Sequence, residues 1–332
     1  CFGRCLSGYS PALLVWSLSL RDSLCRHFCG VAALSFFSRL FGRQSTESGP
    51  RMREVLCADT RGLHHLRYTE WGDPANPRVL VCVHGLTRNG RDFDALAASL
   101  SAHYRVVCPD VVGRGRSDWL PDPAAYGFPQ YVADMMVLLA RLDVDQVHWL
   151  GTSMGGLIGM VIASQKKTPI TRLLLNDVGP VITAESLQRI GDYVGKAPRF
   201  DSYGQAEAYI RQVSAPFGSL TDAQWRSLTE SSIRQGDDGK WAMVYDPAIG
   251  EPFRQAYLVN QAFDLWPIYE GIRCPTMVVR GAQSDLLTTE THAEMGLRGP
   301  KAQLVEIPGV GHAPMFLDEA QISVACEFFL AG

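Results

Sequence analysis

Short runs of uninterrupted apolar residues alternate with helix-like stretches over most of this chain, and few folds accommodate that rhythm. Val79–Val83 (VLVCV) is apolar throughout and bounded by turn residues. That pattern suits a strand buried on both faces rather than one that shows every second residue to water. Tyr104–Cys108, Val147–Leu150, Ile170–Leu175, Thr276–Val279 and Leu304–Ile307 read as further strands. Leu63–Trp71 is an earlier, more alternating strand that stops at the turn signal Gly72-Asp73-Pro74. Phe93–Leu100, Tyr131–Leu142 and Met154–Ser164 read as intervening helices, and Glu319–Leu330 as a closing one. Such alternation predicts an α/β fold with a parallel sheet covered by helices on both faces.

The rhythm breaks between residues 181 and 266. Ala184–Val194, Gln205–Val213 and Thr221–Ser232 read as helices, no clear buried strand appears, and Trp, Tyr, Phe and Pro are frequent. The expectation is a helical cap of residues 181–266 on a core of 52–180 and 267–332. An insertion at the C-terminal edge of a parallel sheet covers the crevice where ligands bind. Residues 1–51 differ again: Arg, Ser, Cys and Phe are abundant, and Asp22 and Glu47 are the only acids. Met52 follows directly, so the favoured reading places 1–51 upstream of the protein proper, as a disordered or artefactual segment; a targeting leader or a membrane-surface anchor are the alternatives. The apolar runs Pro11–Leu20 and Val31–Leu40 fall short of the roughly 18–20 residues that span a bilayer, so no stable membrane insertion is expected.

Length and charge limit the function classes. The 332 residues carry a formal net charge of −3, without the basic excess of a nucleic-acid binder. Of nine cysteines, four lie in the first thirty residues and Cys57, Cys82, Cys108, Cys274 and Cys326 are scattered singly. No C-x-x-C and no zinc-finger spacing occurs, which predicts a reduced, cytoplasmic protein with no metal and no cofactor.

The strongest local signal is Gly151-Thr152-Ser153-Met154-Gly155, with a strand leading in and the small-residue helix Gly155-Gly156-Leu157-Ile158-Gly159 leading out. A G-x-S-x-G in that context places a nucleophilic serine on a tight strand-to-helix turn, with small residues two positions either side. The helix start presents unpaired N–H groups to a developing oxyanion. Serine needs a base. Of eight histidines, His312 lies on a loop (Gly309-Val310-Gly311-His312-Ala313-Pro314) directly after the last strand. His148 reads as structural, His103 and His292 as surface or packing residues, and His64 and His65 lie in an early strand. Two acids follow strands and precede His312: Asp177 and Asp285. Asp285 is favoured because it stands one strand–helix–strand step before His312, leaving Asp177 to cap a turn or line the pocket. After VLVCV comes His84-Gly85-Leu86, where the backbone N–H of Leu86 would pair with that of Met154 as an oxyanion hole and His84 would support the loop.

These features resemble, in order, the α/β-hydrolase fold superfamily in its capped, esterase-like branch: His84-Gly85-Leu86, the segment Asp110–Asp118 (DVVGRGRSD), Gly151–Gly155, and Asp285 with His312. The resemblance covers about residues 60–330. It implies an eight-stranded, mostly parallel sheet flanked by helices, the cap inserted between the sixth and seventh strands, and a Ser153/Asp285/His312 triad. In segment 110–118 it implies a shaped turn braced by Arg116. Serine where haloalkane dehalogenases and epoxide hydrolases of this fold place Asp implies acyl chemistry, with a small-molecule acyl ester as substrate and the protein a monomer or homodimer. Rivals are a C–C bond hydrolase of a ring-cleavage product, a perhydrolase side activity, and a non-catalytic small-molecule binder. The first often carries Trp soon after the histidine, where this chain has Ala313-Pro314-Met315-Phe316. Trp225, Trp241, Trp266, Phe217, Phe253 and Phe263 are available to line an apolar acyl pocket.

Overall fold

The computed structural model describes residues 49–252 and 262–331. An eight-stranded sheet is built from β1 (Arg51–Ala58), β2 (Leu63–Trp71), β3 (Val79–Val83), β4 (Arg105–Pro109), β5 (Val147–Thr152), β6 (Ile170–Asn176), β7 (Thr276–Gly281) and β8 (Gln303–Ile307). Their order across the sheet is β1-β2-β4-β3-β5-β6-β7-β8. β2 pairs antiparallel with both β1 and β4, and every other pairing is parallel. Leading residues Cys1 to Ser48 lie outside the described residues, so the leader expectation falls there too. Arg51 pairs with Glu70 as the first residue of β1, one position before the expected start of the core at 52.

The period-two geometry of the strands sorts their apolar residues onto two faces. Val79, Val81, Trp149, Leu173, Leu175 and Val278 belong to one core. It is closed by α2 (Phe128–Leu142) and α3 (Met154–Ala163), through Met135, Leu138 and Ile158 among others. Leu80, Cys82, Val106, Cys108, Leu150 and Val279 belong to the other. There α1 (Asp94–Leu100) and the closing helix bring Leu96, Leu100, Phe328 and Phe329. Because both faces are covered, β3 and β7 are buried at every position, β3 with apolar residues throughout.

Between β6 and β7 the chain forms α4 (Ala184–Tyr193), α5 (Tyr203–Val213) and α6 (Asp222–Ser232). Val181–Ile182 pairs with Phe263–Asp264 where the segment leaves and rejoins the core. The segment also holds a three-stranded sheet, with Trp241–Met243 between Arg199–Phe200 and Ile233–Gln235. Strands of two or three residues have too little periodicity to read from sequence. The cap has its own apolar cluster of Phe200, Ala206, Ile210, Trp225, Leu228 and Ile233, which Met315 joins from the loop after β8. Following the cap come α7 (Trp266–Gly271), α8 (Thr289–Met295) and α9 (Glu319–Leu330). Among the described residues no helix is long and apolar enough to cross a membrane.

Candidate active site

The site sits at the C-terminal ends of β5, β6 and β8, which carry Ser153, Asp177 and His312, with the turn after β3 beside them. Ser153 follows β5 with φ 51° and ψ −115°, a backbone state that costs an L-residue of order 1–3 kcal/mol and persists only where the surroundings hold it. Two glycines make that turn sterically feasible. A Cβ on Gly151 would lie 2.2 Å from the Gly155 carbonyl oxygen, and one on Gly155 would lie 2.1 Å from that of Val83. The Trp149 indole donates to the Gly155 carbonyl at 3.1 Å, and the Ser153 N–H donates to the Asn176 carbonyl at 3.0 Å. Strand, turn and helix are thereby tied together around the hydroxyl.

His312 reaches this hydroxyl from the loop after β8, its Nε2 3.1 Å from Ser153 Oγ. Its Nδ1 lies 2.7 Å from Oδ2 of Asp177. The expected partner, Asp285, is not there. Its carboxylate pairs with Arg189 of α4 and its side chain is 59% exposed. The reason lies in two loops. Asp177 directly follows β6, adopts φ 53°, and donates its N–H to Val279 O at 2.7 Å, so its carboxylate is held wholly inside the protein. After β7 the chain instead turns Ser284 inward, and its hydroxyl donates to Asp177 Oδ2 at 2.7 Å. The next residue, Asp285, therefore faces outward.

Asp177 has no exposed side-chain surface, and a buried carboxylate is tolerable only with several donors. It has three: the Gly281 N–H at 2.8 Å, the Ser284 hydroxyl, and His312 Nδ1. A carboxylate at Nδ1 can only accept, so that nitrogen carries the proton and the Nε2 lone pair faces Ser153. Sequence reasoning missed Ser284 and Asn176. The amide of Asn176 donates to Thr152 Oγ1 at 3.0 Å and to the Pro314 carbonyl at 2.8 Å, joining the nucleophile turn to the histidine loop. An Asn-Asp pair directly after the apolar run Leu173–Leu175 was the available signal.

The two expected oxyanion donors flank the serine. Met154 is the first residue of α3, so its N–H has no intrahelical acceptor. A Cβ on Gly85 would stand 3.7 Å from Ser153 Cβ, which places the Gly85–Leu86 turn against the nucleophile. His84 holds that turn. It is fully buried, and burial, helped by the charges of Arg114 and Arg88, pushes its pKa down to about 3. The neutral ring accepts the Val111 N–H at Nε2 (2.9 Å), so Nδ1 donates to the Gly85 carbonyl (2.6 Å). That carbonyl shares a peptide plane with the Leu86 N–H and points the opposite way. The expected brace of the 110–118 turn is displaced by two residues: the Arg116 side chain is exposed, whereas Arg114 is buried inside.

The remaining histidines stand elsewhere. His148 Nδ1 is 2.9 Å from the Tyr104 hydroxyl, and burial pushes its pKa down to about 4. His292 bonds the Val278 carbonyl, and His65 bonds Asp118. His64 lies 2.9 Å from Asp134 of α2, with the Cys57 thiol beside them. These three are metal-ligand types, and the sequence had not suggested their assembly. The Asp134 carboxylate is already engaged by His64 and by Gln130 at 2.7 Å, and burial raises the Cys57 thiol to about 12. The trio reads as a packing latch. Among the acyl-pocket candidates, Trp225, Trp241 and Phe217 pack within the cap cluster. Trp266 belongs to the main core under Arg298, and Phe263 is exposed. Phe253 lies outside the described residues.

Eight strands in this order, with a serine elbow, a histidine loop and an inserted cap, define a hydrolase of the α/β type. Residues 80–324 match the model of the alpha/beta hydrolase family, and the chain belongs to it. The chain is 53% identical to a 3-hydroxybutyrate-oligomer hydrolase of Cupriavidus necator over 289 residues, covering 85% of this chain and 98% of that one. Among solved structures, a hydrolase from Rickettsia typhi superposes with a TM-score of 0.79 at 32% identity, covering 86% of this chain and 99% of its own. An alpha/beta hydrolase from Novosphingobium aromaticivorans does so with 0.75 at 33%, covering 85% and 99%.

Proposed function

We propose that this protein hydrolyses carboxylic esters through an acyl-enzyme on Ser153, with His312 as base and Asp177, not Asp285, as the acid that orients it. The observation that carries the reading is the single imidazole held between Ser153 Oγ (3.1 Å) and the buried Asp177 carboxylate (2.7 Å). In the first half, His312 Nε2 takes the hydroxyl proton as Oγ adds to the ester carbonyl. The oxyanion accepts the N–H groups of Leu86 and Met154. Collapse expels the alcohol, which receives the proton from His312. In the second half, His312 takes a proton from water, which adds to the acyl carbonyl, and collapse restores Ser153 and releases the acid. Each backbone donor of this kind is worth roughly 3–4 kcal/mol in the transition state.

The substrate class is supported by the relative from Cupriavidus necator, which shares more than half its residues with this chain over nearly its whole length. Short oligoesters of hydroxyalkanoic acids, 3-hydroxybutyrate first among them, fit the chemistry. Their leaving group is itself a hydroxy acid, so one site can cleave repeatedly. The cap of residues 181–266 would govern which acyl units enter. A reducing, intracellular setting fits the five described cysteines, all of them unpaired.

The test is direct. The purified protein is incubated with the 3-hydroxybutyrate dimer and, separately, with a fluorophosphonate probe. Monomer should be released and the probe should label Ser153, with both signals lost in Ser153→Ala. A wild-type protein that is folded, unlabelled and unable to cleave the dimer or a p-nitrophenyl ester would point to a binding protein and refute the reading.

A further inference from the structure

Arg114 is the one wholly buried arginine in the described fold, with 0% of its surface exposed. It lies in the turn after β4 and is joined to the cap through a bridge with Tyr245. Its guanidinium uses neutral acceptors throughout. Nε–H donates to the Leu86 carbonyl at 2.8 Å, and Nη1–H to the Val112 carbonyl at 2.7 Å and the Tyr131 hydroxyl at 3.0 Å. Nη2–H points to the Met154 sulfur at 3.8 Å, and the cation lies over the Tyr131 ring at 4.9 Å. Among the described residues no carboxylate stands within ion-pair distance of it. An unpaired buried charge remains costly even after relaxation, so a protein that keeps one has an anion to set against it or a strong reason to hold it.

The position supplies the reason. This one side chain touches both residues whose backbone amides flank Ser153, Leu86 through its carbonyl and Met154 through its thioether. Asp177, the buried anion of the site, already has three donors of its own. The charge missing from the resting protein is the oxyanion, which exists only during acyl transfer.

Resting on the acyl-enzyme reading, we infer that Arg114 is a positioning residue of the oxyanion hole. It clamps the Leu86 turn against Met154 and places an uncompensated positive charge behind the two amides. The arrangement is differential: a neutral ester gains little from that charge, whereas the tetrahedral anion gains its full attraction in a dry, low-dielectric setting. The interaction therefore belongs to kcat rather than to KM. Lysine would preserve the charge but not the fork that reaches Leu86, Val112 and Tyr131 together.

The experiment compares wild type with Arg114→Met, Arg114→Gln and Arg114→Lys on p-nitrophenyl butyrate. Inhibition by an alkylboronic acid, whose serine adduct is a tetrahedral anion, is measured beside it. Circular dichroism and melting establish that each variant is folded. Losing one direct oxyanion donor costs about 10²–10³-fold, so Met and Gln, acting behind the amides, should lower kcat by about 30-fold with KM nearly unchanged. Boronate affinity should fall in proportion to kcat, and Lys should recover most of it. If Met does not fold, Gln and Lys carry the comparison. Folded neutral variants that keep wild-type kcat and boronate affinity overturn the proposal. So does a loss that falls on KM, or one that Lys shares in full, since either marks a packing role. A wild type that neither turns over the ester nor reacts with the fluorophosphonate defeats the acyl-enzyme reading itself, a different result from failure of the arginine variants.

Discussion

At the scale of single residues, the decisive choice is between two aspartates that look alike in sequence. Both follow a strand, both precede His312, and the spacing argument favoured Asp285. Burial separates them: Asp177 is enclosed with three donors, whereas Asp285 meets solvent and Arg189. Sequence spacing reports which strand an acid follows, not which way the loop after that strand turns it. The places of Ser153, His312, Leu86 and Met154 could be read because they are tied to local backbone features: a glycine-framed turn, a helix start, a loop after an apolar strand. The acid's role depends on the inward turn of Ser284, which has no local sequence mark. The same limit explains Arg116 and Arg114, two residues apart in one turn and opposite in exposure.

At the scale of elements, the strands that read clearly are those buried on both faces. β1 was missed because Val55 and Cys57 are its only buried residues, too few to set a period. Its packing against the rest depends on a polar latch. His64 on β2 faces Cys57 on β1 and bonds Asp134 of α2. Burial alone would lower the His64 pKa, but the hydrogen bond and charge of Asp134 outweigh it and the pKa rises above the ordinary 6.5. A raised folded pKa means the imidazolium is favoured in the native state. The stabilisation is therefore complete below pH 6.5 and is lost as pH climbs through the raised value. His84 works in the opposite sense: its depressed pKa removes stability as pH falls from 6.5 toward about 3. A wild-type curve mixes both effects, so the latch is read as a difference. Urea unfolding of wild type and His64→Ala should show a stability gap at about pH 6 that narrows by about pH 8. A gap independent of pH, or one that widens with pH, would contradict the latch.

At the scale of the molecule, the cap packs on the loop that carries His312. It holds the histidine loop at three places. The Gly311 N–H donates to Pro216 O at 2.7 Å, Gln224 Nε2 donates to Leu317 O at 2.8 Å, and Met315 enters the cap's own apolar cluster. The loop of His312 is thus packed against the cap, although the cap supplies none of Ser153, Asp177 and His312. Trp225→Ala should cost about 3–5 kcal/mol of stability, as large-to-small changes in a packed cluster do. It should also lower kcat by on the order of tenfold, because a catalytic group displaced by a fraction of an ångström loses its alignment. Denaturant unfolding and steady-state kinetics on one ester check both parts. A variant that loses stability while kcat stays at the wild-type level would mean that the cap and the histidine loop are energetically separate. That an insertion of helices divides the core was legible from the broken rhythm after residue 180. Its second role was not, since hydrogen bonds between residues about a hundred positions apart leave no trace in local pattern.

The central claim is that the base is oriented from the end of β6, by Asp177. Steady-state kinetics of Asp177→Asn and Asp285→Asn on the 3-hydroxybutyrate dimer test it most directly. An asparagine at 177 can no longer hold the Nδ1 proton, and turnover should fall by about 10⁴-fold, while Asp285→Asn should stay near wild type. A large loss in Asp285→Asn beside a near-normal Asp177→Asn would contradict the account.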